Sequence, residues 1–152
     1  MEFVLPTDFK ELLESLNESG ARYLLVGGYA VGLYGYPRTT NDFDIFVDRD
    51  EENASRLVTA LTKFGFKVEN LNKEIFTDGK SLVVLGVEPF AIDILNYLSG
   101  VEFEAAYQRR KLIKHLDVEI SLISLEDLVA NKTAVGRYKD LNDLEQLKKL
   151  NP

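Results

Sequence analysis

Cysteine is absent from this 152-residue chain, and histidine occurs once, at His115. The first absence excludes a disulfide framework, a thiolate metal site and a cysteine nucleophile, and it fits a protein of the reducing cytosol. A single histidine far in sequence from other candidate residues is more often structural than catalytic. No stretch approaches the roughly 18 apolar residues of a membrane helix, and the first residues lack the features of a signal peptide. We therefore expect a cytoplasmic protein with no membrane partner.

Positive charge is also in short supply. The 18 Lys and Arg residues face 25 Asp and Glu residues, which gives a net charge of −7. An acidic protein is a poor sequence-independent binder of nucleic-acid backbones, although a local basic groove remains compatible. The most basic stretch, residues 109–111 with Lys114, is open to two interpretations. It could contact a tRNA or another polyanion, or it could pair with Glu102 and Glu104.

Hydrophobic periodicity and turn residues predict an α+β fold, a mixed α/β sheet with flanking helices. We expect a nucleotidyltransferase-like catalytic core over residues 1–123 and C-terminal helices packed on it over 124–152, as one compact domain. Asp78-Gly79 has the composition of a hairpin turn. The predicted helices cover about 8–16, 28–34, 50–64, 124–135 and 141–150. The predicted strands cover 22–26, 42–47, 66–68, 75–77, 82–85, 90–95 and two segments within 111–123.

The most informative motif joins a double glycine to two acids on a strand. Gly27 and Gly28 end an apolar strand and open a short helix, and Asp42-Phe43-Asp44 begins the next strand. Alternate strand residues share a face, so Asp42 and Asp44 point the same way and repel each other unless a cation lies between them. Oxygen ligands suit Mg²⁺ or Mn²⁺, which are commonly held by carboxylates together with substrate phosphates. A glycine turn exposes backbone N–H groups that can receive a phosphate.

This pattern resembles the DNA polymerase β-like nucleotidyltransferase superfamily, and most closely its small branch of AbiEii-type toxin nucleotidyltransferases. The resemblance rests on Gly27, Gly28, Arg38, Thr40, Asp42 and Asp44, and a third acid, Asp93, follows in the apolar run FAIDIL. It implies that the three acids are catalytic metal ligands. Asp93 is open to a second role, as general base. The superfamily often carries serine where Gly28 stands, so phosphate binding here would depend on backbone N–H groups or on a neighbouring threonine.

The resemblance further implies that Gly27, Gly28, Arg38, Thr40 and Lys132 bind the nucleotide. The charged residues could instead have purely structural roles, a surface salt bridge for Arg38 and a position on a solvated helix face for Lys132. The C-terminal segment KDLND resembles a basic-Asp-x-x-Asp motif of toxin-like relatives. It leaves open the roles of Arg137, Asp140 and Asp143, and helix capping is the competing role for Asp140.

The implied activity is metal-dependent transfer of a nucleoside monophosphate from a nucleoside triphosphate to a hydroxyl acceptor. The acceptor is a tRNA, a protein or a small molecule such as an aminoglycoside or lincosamide antibiotic. If the chain is a toxin component, an antitoxin partner is expected, and apolar positions on the C-terminal helices are compatible with a homodimer. The alternative is a non-catalytic nucleotide- or partner-binding module of the same fold.

Overall fold

The structure is a computed structural model that describes residues 6–37, 42–66, 73–80, 82–87 and 90–152, with the backbone alone at 42, 86, 87 and 90. The chain alternates helices and strands before it closes with two helices. The helices are α1 Thr7–Glu18, α2 Gly27–Leu33, α3 Glu51–Phe64, α4 Phe103–Gln108, α5 Leu125–Val135 and α6 Tyr138–Leu150. The strands are β1 Tyr23–Val26, β2 Asp42–Val47, β3 Leu82–Val87, β4 Phe90–Leu95, β5 Lys111–His115 and β6 Val118–Leu122.

The described strands form one mixed sheet in the order β3-β4-β2-β1-β6-β5. β1 runs antiparallel to β2 and parallel to β6, whereas β2 runs parallel to β4. The hairpins β3–β4 and β5–β6 form the two edges. The predicted mixed α/β sheet with flanking helices is therefore confirmed.

The two faces of the sheet have different coverings. Phe43 and Ile45 of β2 are buried on one face, where Phe43 stacks on Phe9 of α1 with ring centroids 4.5 Å apart. α3 packs beside α1 and closes that layer. Residues of β2 that alternate with these, Asp44 and Phe46, belong to the other face. Phe46 contacts Phe103 of α4 there, with centroids 5.1 Å apart, so the acid-bearing face lies on the side of the C-terminal helices.

Local rules explain several element boundaries. Ser124 caps α5 by accepting a hydrogen bond from the Asp127 N–H at 3.1 Å. α6 begins at Tyr138, one turn earlier than predicted, because Asp140 caps that end by accepting from the Arg137 N–H. Among the described residues, every helix is too short or too polar to cross a bilayer.

Some expectations were wrong. The predicted strand at 75–77 is instead part of a 3₁₀ helix, Lys73–Phe76, which buries Phe76 completely. Asp78-Gly79 is consequently not a hairpin turn. β3 forms its hairpin with β4, the strand that follows it, and Val87 pairs with Phe90. α4 was not predicted. The predicted strand at 66–68 falls mostly outside the described residues.

Candidate active site

The turn between β1 and α2 is built from glycine for two separate reasons. Gly27 has a φ of +72°, a left-handed conformation that residues with a side chain rarely adopt. A Cβ atom on Gly27 would lie 2.1 Å from Oδ2 of Asp44, far inside van der Waals contact. The main chain of β1–α2 therefore passes directly against the Asp44 carboxylate, and only glycine permits that approach.

Asp44 on β2 and Asp93 on β4 are Cα partners on adjacent parallel strands. Side chains at paired positions share a face, and neighbouring strands lie about 4.8 Å apart. The residues that flank Asp93, Ile92 and Ile94, are buried, while both acids are half-buried. Two carboxylates at this spacing repel each other unless a cation or a shared proton lies between them. The register thus brings two of the three predicted acids together.

The remaining sheet-side candidates are only partly described. The backbone of Asp42 pairs with Ala91, but its side chain lies outside the described atoms, and Arg38 and Thr40 lie outside the described residues. Within the described part of the chain, no three histidine or carboxylate side chains group closely enough to hold a metal ion. Metal binding by three acids therefore stays a prediction.

Opposite the acids, α5 and α6 share a buried cluster of charges. Lys132, Asp140 and Asp143 are 5%, 1% and 1% exposed. The Lys132 Nζ lies 3.2 Å from Asp140 Oδ1 and 3.1 Å from Asp143 Oδ2. Charges are tolerated at such depth only when they are paired. Lys132, which the sequence predicts as a nucleotide ligand, lines a pocket between the sheet and these helices, but its ammonium group is held by two carboxylates.

Arg137 precedes α6 and is bound by the same cluster. Its Nε donates to Asp140 Oδ2 at 2.7 Å, and its backbone N–H donates to that oxygen at 3.1 Å. Burial opposes ionisation of Asp140, but hydrogen bonds from Arg137 and Lys132 outweigh burial and lower the pKa of this carboxyl group. The pKa of Arg137 is raised, chiefly by its hydrogen bond to Asp140 and in smaller part by the charge of Asp44. The Arg137 guanidinium is therefore within electrostatic reach of Asp44.

A pocket of about 280 Å³ separates the acid-bearing sheet face from α5 and α6. Its lining includes the glycine turn, two acids and three cations: Gly27, Gly28, Asp44, Asp140, Lys132, Arg137 and Lys139. A metal–triphosphate complex requires this charge pattern, since carboxylates bind the metal and cations bind the phosphate oxygens.

A larger cavity of about 480 Å³ opens beside this pocket and shares Tyr97 and Leu98 with it. It extends from the ends of β2 and β4 to the start of α4. Its charged lining comprises Asp48, Arg49, Glu102 and Glu104. Arg22, from outside the lining, lies 2.6 Å from both Asp48 and Glu104. Burial raises the pKa of Asp48 even though Arg22 opposes the shift. The lining of the larger cavity has more acids than cations, but it does not include Asp44, which lines the smaller pocket, so we assign the chemistry to the smaller pocket.

Sequence reasoning missed several pocket residues. Asn131 of α5 donates to the Ser99 carbonyl at 3.0 Å and ties the loop after β4 to the helical wall. Tyr97 in that loop is 56% exposed and faces both cavities. The sequence could have indicated Tyr97, because this residue closely follows β4, the strand that carries Asp93.

The basic stretch before β5 has mainly structural partners. Arg109 pairs with Asp127 at 2.7 Å, and Arg110 stacks on Tyr107, 3.9 Å from the ring centroid. The predicted pairing of this stretch with Glu104 was wrong, since Glu104 pairs with Arg22. His115 lies on β5, and β1 and β6 separate that strand from β2.

Comparison with known proteins gives the chain a family. The sequence model of the aminoglycoside-2''-adenylyltransferase family matches residues 8–147. An antigenic nucleotidyltransferase-like protein from Paracoccidioides brasiliensis is similar in structure, with a TM-score of 0.55 and 18% identity over 96% of this chain and 78% of that one. A candidate nucleotidyltransferase from Thermotoga maritima has a TM-score of 0.50 and 16% identity, over 93% of this chain and 86% of that one. No curated protein matches the chain significantly.

The structural similarities at these identities establish a shared fold, whereas the family match spans most of the chain. Both agree with the predicted superfamily, which is confirmed. The toxin-type branch within it stays a prediction. The chain belongs to the aminoglycoside-2''-adenylyltransferase family and is a nucleotidyltransferase.

Proposed function

We propose that this protein transfers a nucleoside monophosphate from a metal-bound nucleoside triphosphate to a hydroxyl group of a small, positively charged acceptor. The observation that carries the proposal is the register pair Asp44–Asp93 beside Gly27. It offers two carboxylates on one sheet face, at a point where the main chain of the glycine turn lies directly against one of them.

The donor atoms fit a divalent cation with oxygen ligands. Asp44 and Asp93 project from neighbouring strands, and Asp42 would add a third carboxylate from the same strand as Asp44. Mg²⁺ and Mn²⁺ accept such a set and keep open positions for phosphate oxygens. When bound, the ion would neutralise charge on the triphosphate as the α-phosphorus is attacked.

The chain's own groups would bind and orient the substrates. Backbone N–H groups at Gly27 and Gly28 would contact the phosphates, with Arg38 and Thr40, which precede β2 in the sequence, as further ligands. The acceptor oxygen forms a bond to the α-phosphorus while the bond to the pyrophosphate oxygen breaks. The hydroxyl proton passes to a carboxylate, for which Asp93 is the candidate if it is not fully engaged as a ligand.

The acceptor class is suggested by the family and by the acidic cavity. The family's name specifies an aminoglycoside acceptor and adenylyl transfer, so we propose ATP as donor and an amino sugar as acceptor. The larger cavity adjoins the acid-bearing pocket at Tyr97 and Leu98, and carboxylates dominate its charged lining. An acceptor with several ammonium groups suits that lining, whereas a polyanion such as tRNA does not.

The test is transfer of label from each of the four α-³²P nucleoside triphosphates, with Mg²⁺ or Mn²⁺, to aminoglycosides, tRNA or purified protein. We expect label from ATP on an aminoglycoside, and loss of transfer in Asp44→Asn. Glu145→Gln, which removes an exposed acid on α6, is the matched control and should retain full transfer.

The other outcomes discriminate the alternatives. Label on tRNA or protein would overturn the amino-sugar acceptor but keep nucleotidyl transfer, and it would favour the toxin-type branch with its antitoxin. Absence of transfer to every acceptor, with triphosphate binding retained, would overturn the proposed reaction in favour of a non-catalytic nucleotide-binding module.

A further inference from the structure

Some of the charged side chains around α5 and α6 are fully paired within the protein, whereas others face the pocket. Lys132 is 5% exposed, and Asp140 and Asp143 both accept from its Nζ. A lysine so placed cannot move to a phosphate without giving up its ion pairs to two nearly inaccessible carboxylates, which is unfavourable. Lys132 is therefore a poor candidate for a direct substrate ligand.

Arg137 has the opposite character. Its side chain is 57% exposed, it lines the pocket opposite the glycine turn, and it is close enough to Asp44 for their charges to interact. Asp140 holds the guanidinium through Nε at 2.7 Å and Nη2 at 3.4 Å. Among the described residues, Nη1 has no hydrogen-bond partner. One edge of the guanidinium is thus anchored, and the remaining donors are available to a ligand.

The contacts within the cluster form a series that leads from Lys132 through Asp140 to Arg137. Lys132 holds Asp140 between α5 and α6 and favours its charged form, and Asp140 in turn fixes both the backbone N–H and the Nε of Arg137. A planar guanidinium held at one edge is preorganised to present its other N–H groups in a fixed direction. The direction available here is the pocket that Asp44 and Gly27 line from the other side.

We propose that Arg137 is the cation that binds the triphosphate from the helical wall, and that Lys132 and Asp140 are positioning residues that act through it. This inference rests on the proposed function. It assigns to Arg137 the contact that the sequence pattern suggested for Lys132. Lys139 lines the same pocket but forms no ion pair with the described residues, so nothing fixes its direction.

The experiment is calorimetric binding of the four α,β-methylene nucleoside triphosphates with Mg²⁺ present, which measures affinity without turnover. Arg137→Gln should weaken binding by roughly 10- to 100-fold, the usual cost of a lost hydrogen bond to a charged group. Arg137→Lys should restore part of that loss. Lys149→Gln removes a positive charge from an exposed site on the same helix and should bind as the wild type does.

The positioning role needs a readout that a merely structural residue would not affect. Asp140→Asn should weaken binding in the wild-type background, but have little further effect once Arg137 is Gln, because Asp140 acts through that guanidinium. Additive losses in this double-mutant cycle would overturn the positioning role.

The failures of the two proposals are distinguishable. Wild-type protein that binds none of the four analogues would overturn the proposed function, and this inference with it. Wild-type protein that binds an analogue while folded Arg137→Gln binds it equally well would overturn this inference alone.

Discussion

Gly27→Ala tests the architecture of the site because it adds one carbon at a defined place. The new Cβ would lie 2.1 Å from Asp44 Oδ2, so the carboxylate must retreat by about 1 Å, a displacement that can cost on the order of 100-fold in rate. A left-handed φ of +72° adds a separate backbone cost of about 1–2 kcal/mol for any residue with a side chain.

Gly20→Ala is the matched control for the backbone cost. Gly20 has a φ of +71°, and a Cβ there would meet nothing closer than Arg56 Cδ at 4.0 Å. Gly20→Ala should lose about 1–2 kcal/mol of unfolding free energy in urea. Gly27→Ala should lose that amount and about 1–3 kcal/mol more for the overlap with Asp44. Only Gly27→Ala should also lose nucleotidyl transfer, measured as kcat/KM. Equal activities in the two variants, at equal stability, would refute the close approach of the main chain to the Asp44 carboxylate.

Three further outcomes are expected. Asp93→Asn should lower kcat by roughly 1,000-fold, because metal-derived stabilisation is worth several kcal/mol; a normal rate would contradict the acid pair. Lys132→Met should cost about 3–5 kcal/mol of unfolding free energy, because it removes one partner from a buried ion pair with each of two carboxylates; a loss below about 1 kcal/mol in urea would contradict the buried cluster. The lowered pKa of Asp140 stabilises the fold at neutral pH. This contribution should disappear as the pH falls below about 4 and through the pKa of the folded state. An acid-unfolding curve that is unchanged in Asp140→Asn would contradict it.

The sequence predicted the sheet-side half of the site because its signals are local. β2 and β4 have the predicted bounds, because acids within apolar runs indicate which residues of each strand share a face. The glycine turn was also legible, because Gly27 and Gly28 lie where an apolar strand passes into a helix.

What the sequence could not show is non-local pairing. That Asp44 lies opposite Asp93 depends on the crossover between β2 and β4, which no local pattern encodes. Lys132 was likewise predicted as a nucleotide ligand, with a solvated helix face as the alternative, because its partners Asp140 and Asp143 lie on the next helix. The segment at 75–77 was too short for periodicity to distinguish a strand from a 3₁₀ turn. α4, with six residues, escaped for the same reason.

The most direct test of the central claim is the anomalous scattering of Mn²⁺ in crystals grown with an α,β-methylene nucleoside triphosphate. The account predicts a manganese peak about 2 Å from carboxylate oxygens of both Asp44 and Asp93, in contact with the triphosphate. A bound triphosphate with manganese ligated by neither of these residues would contradict it.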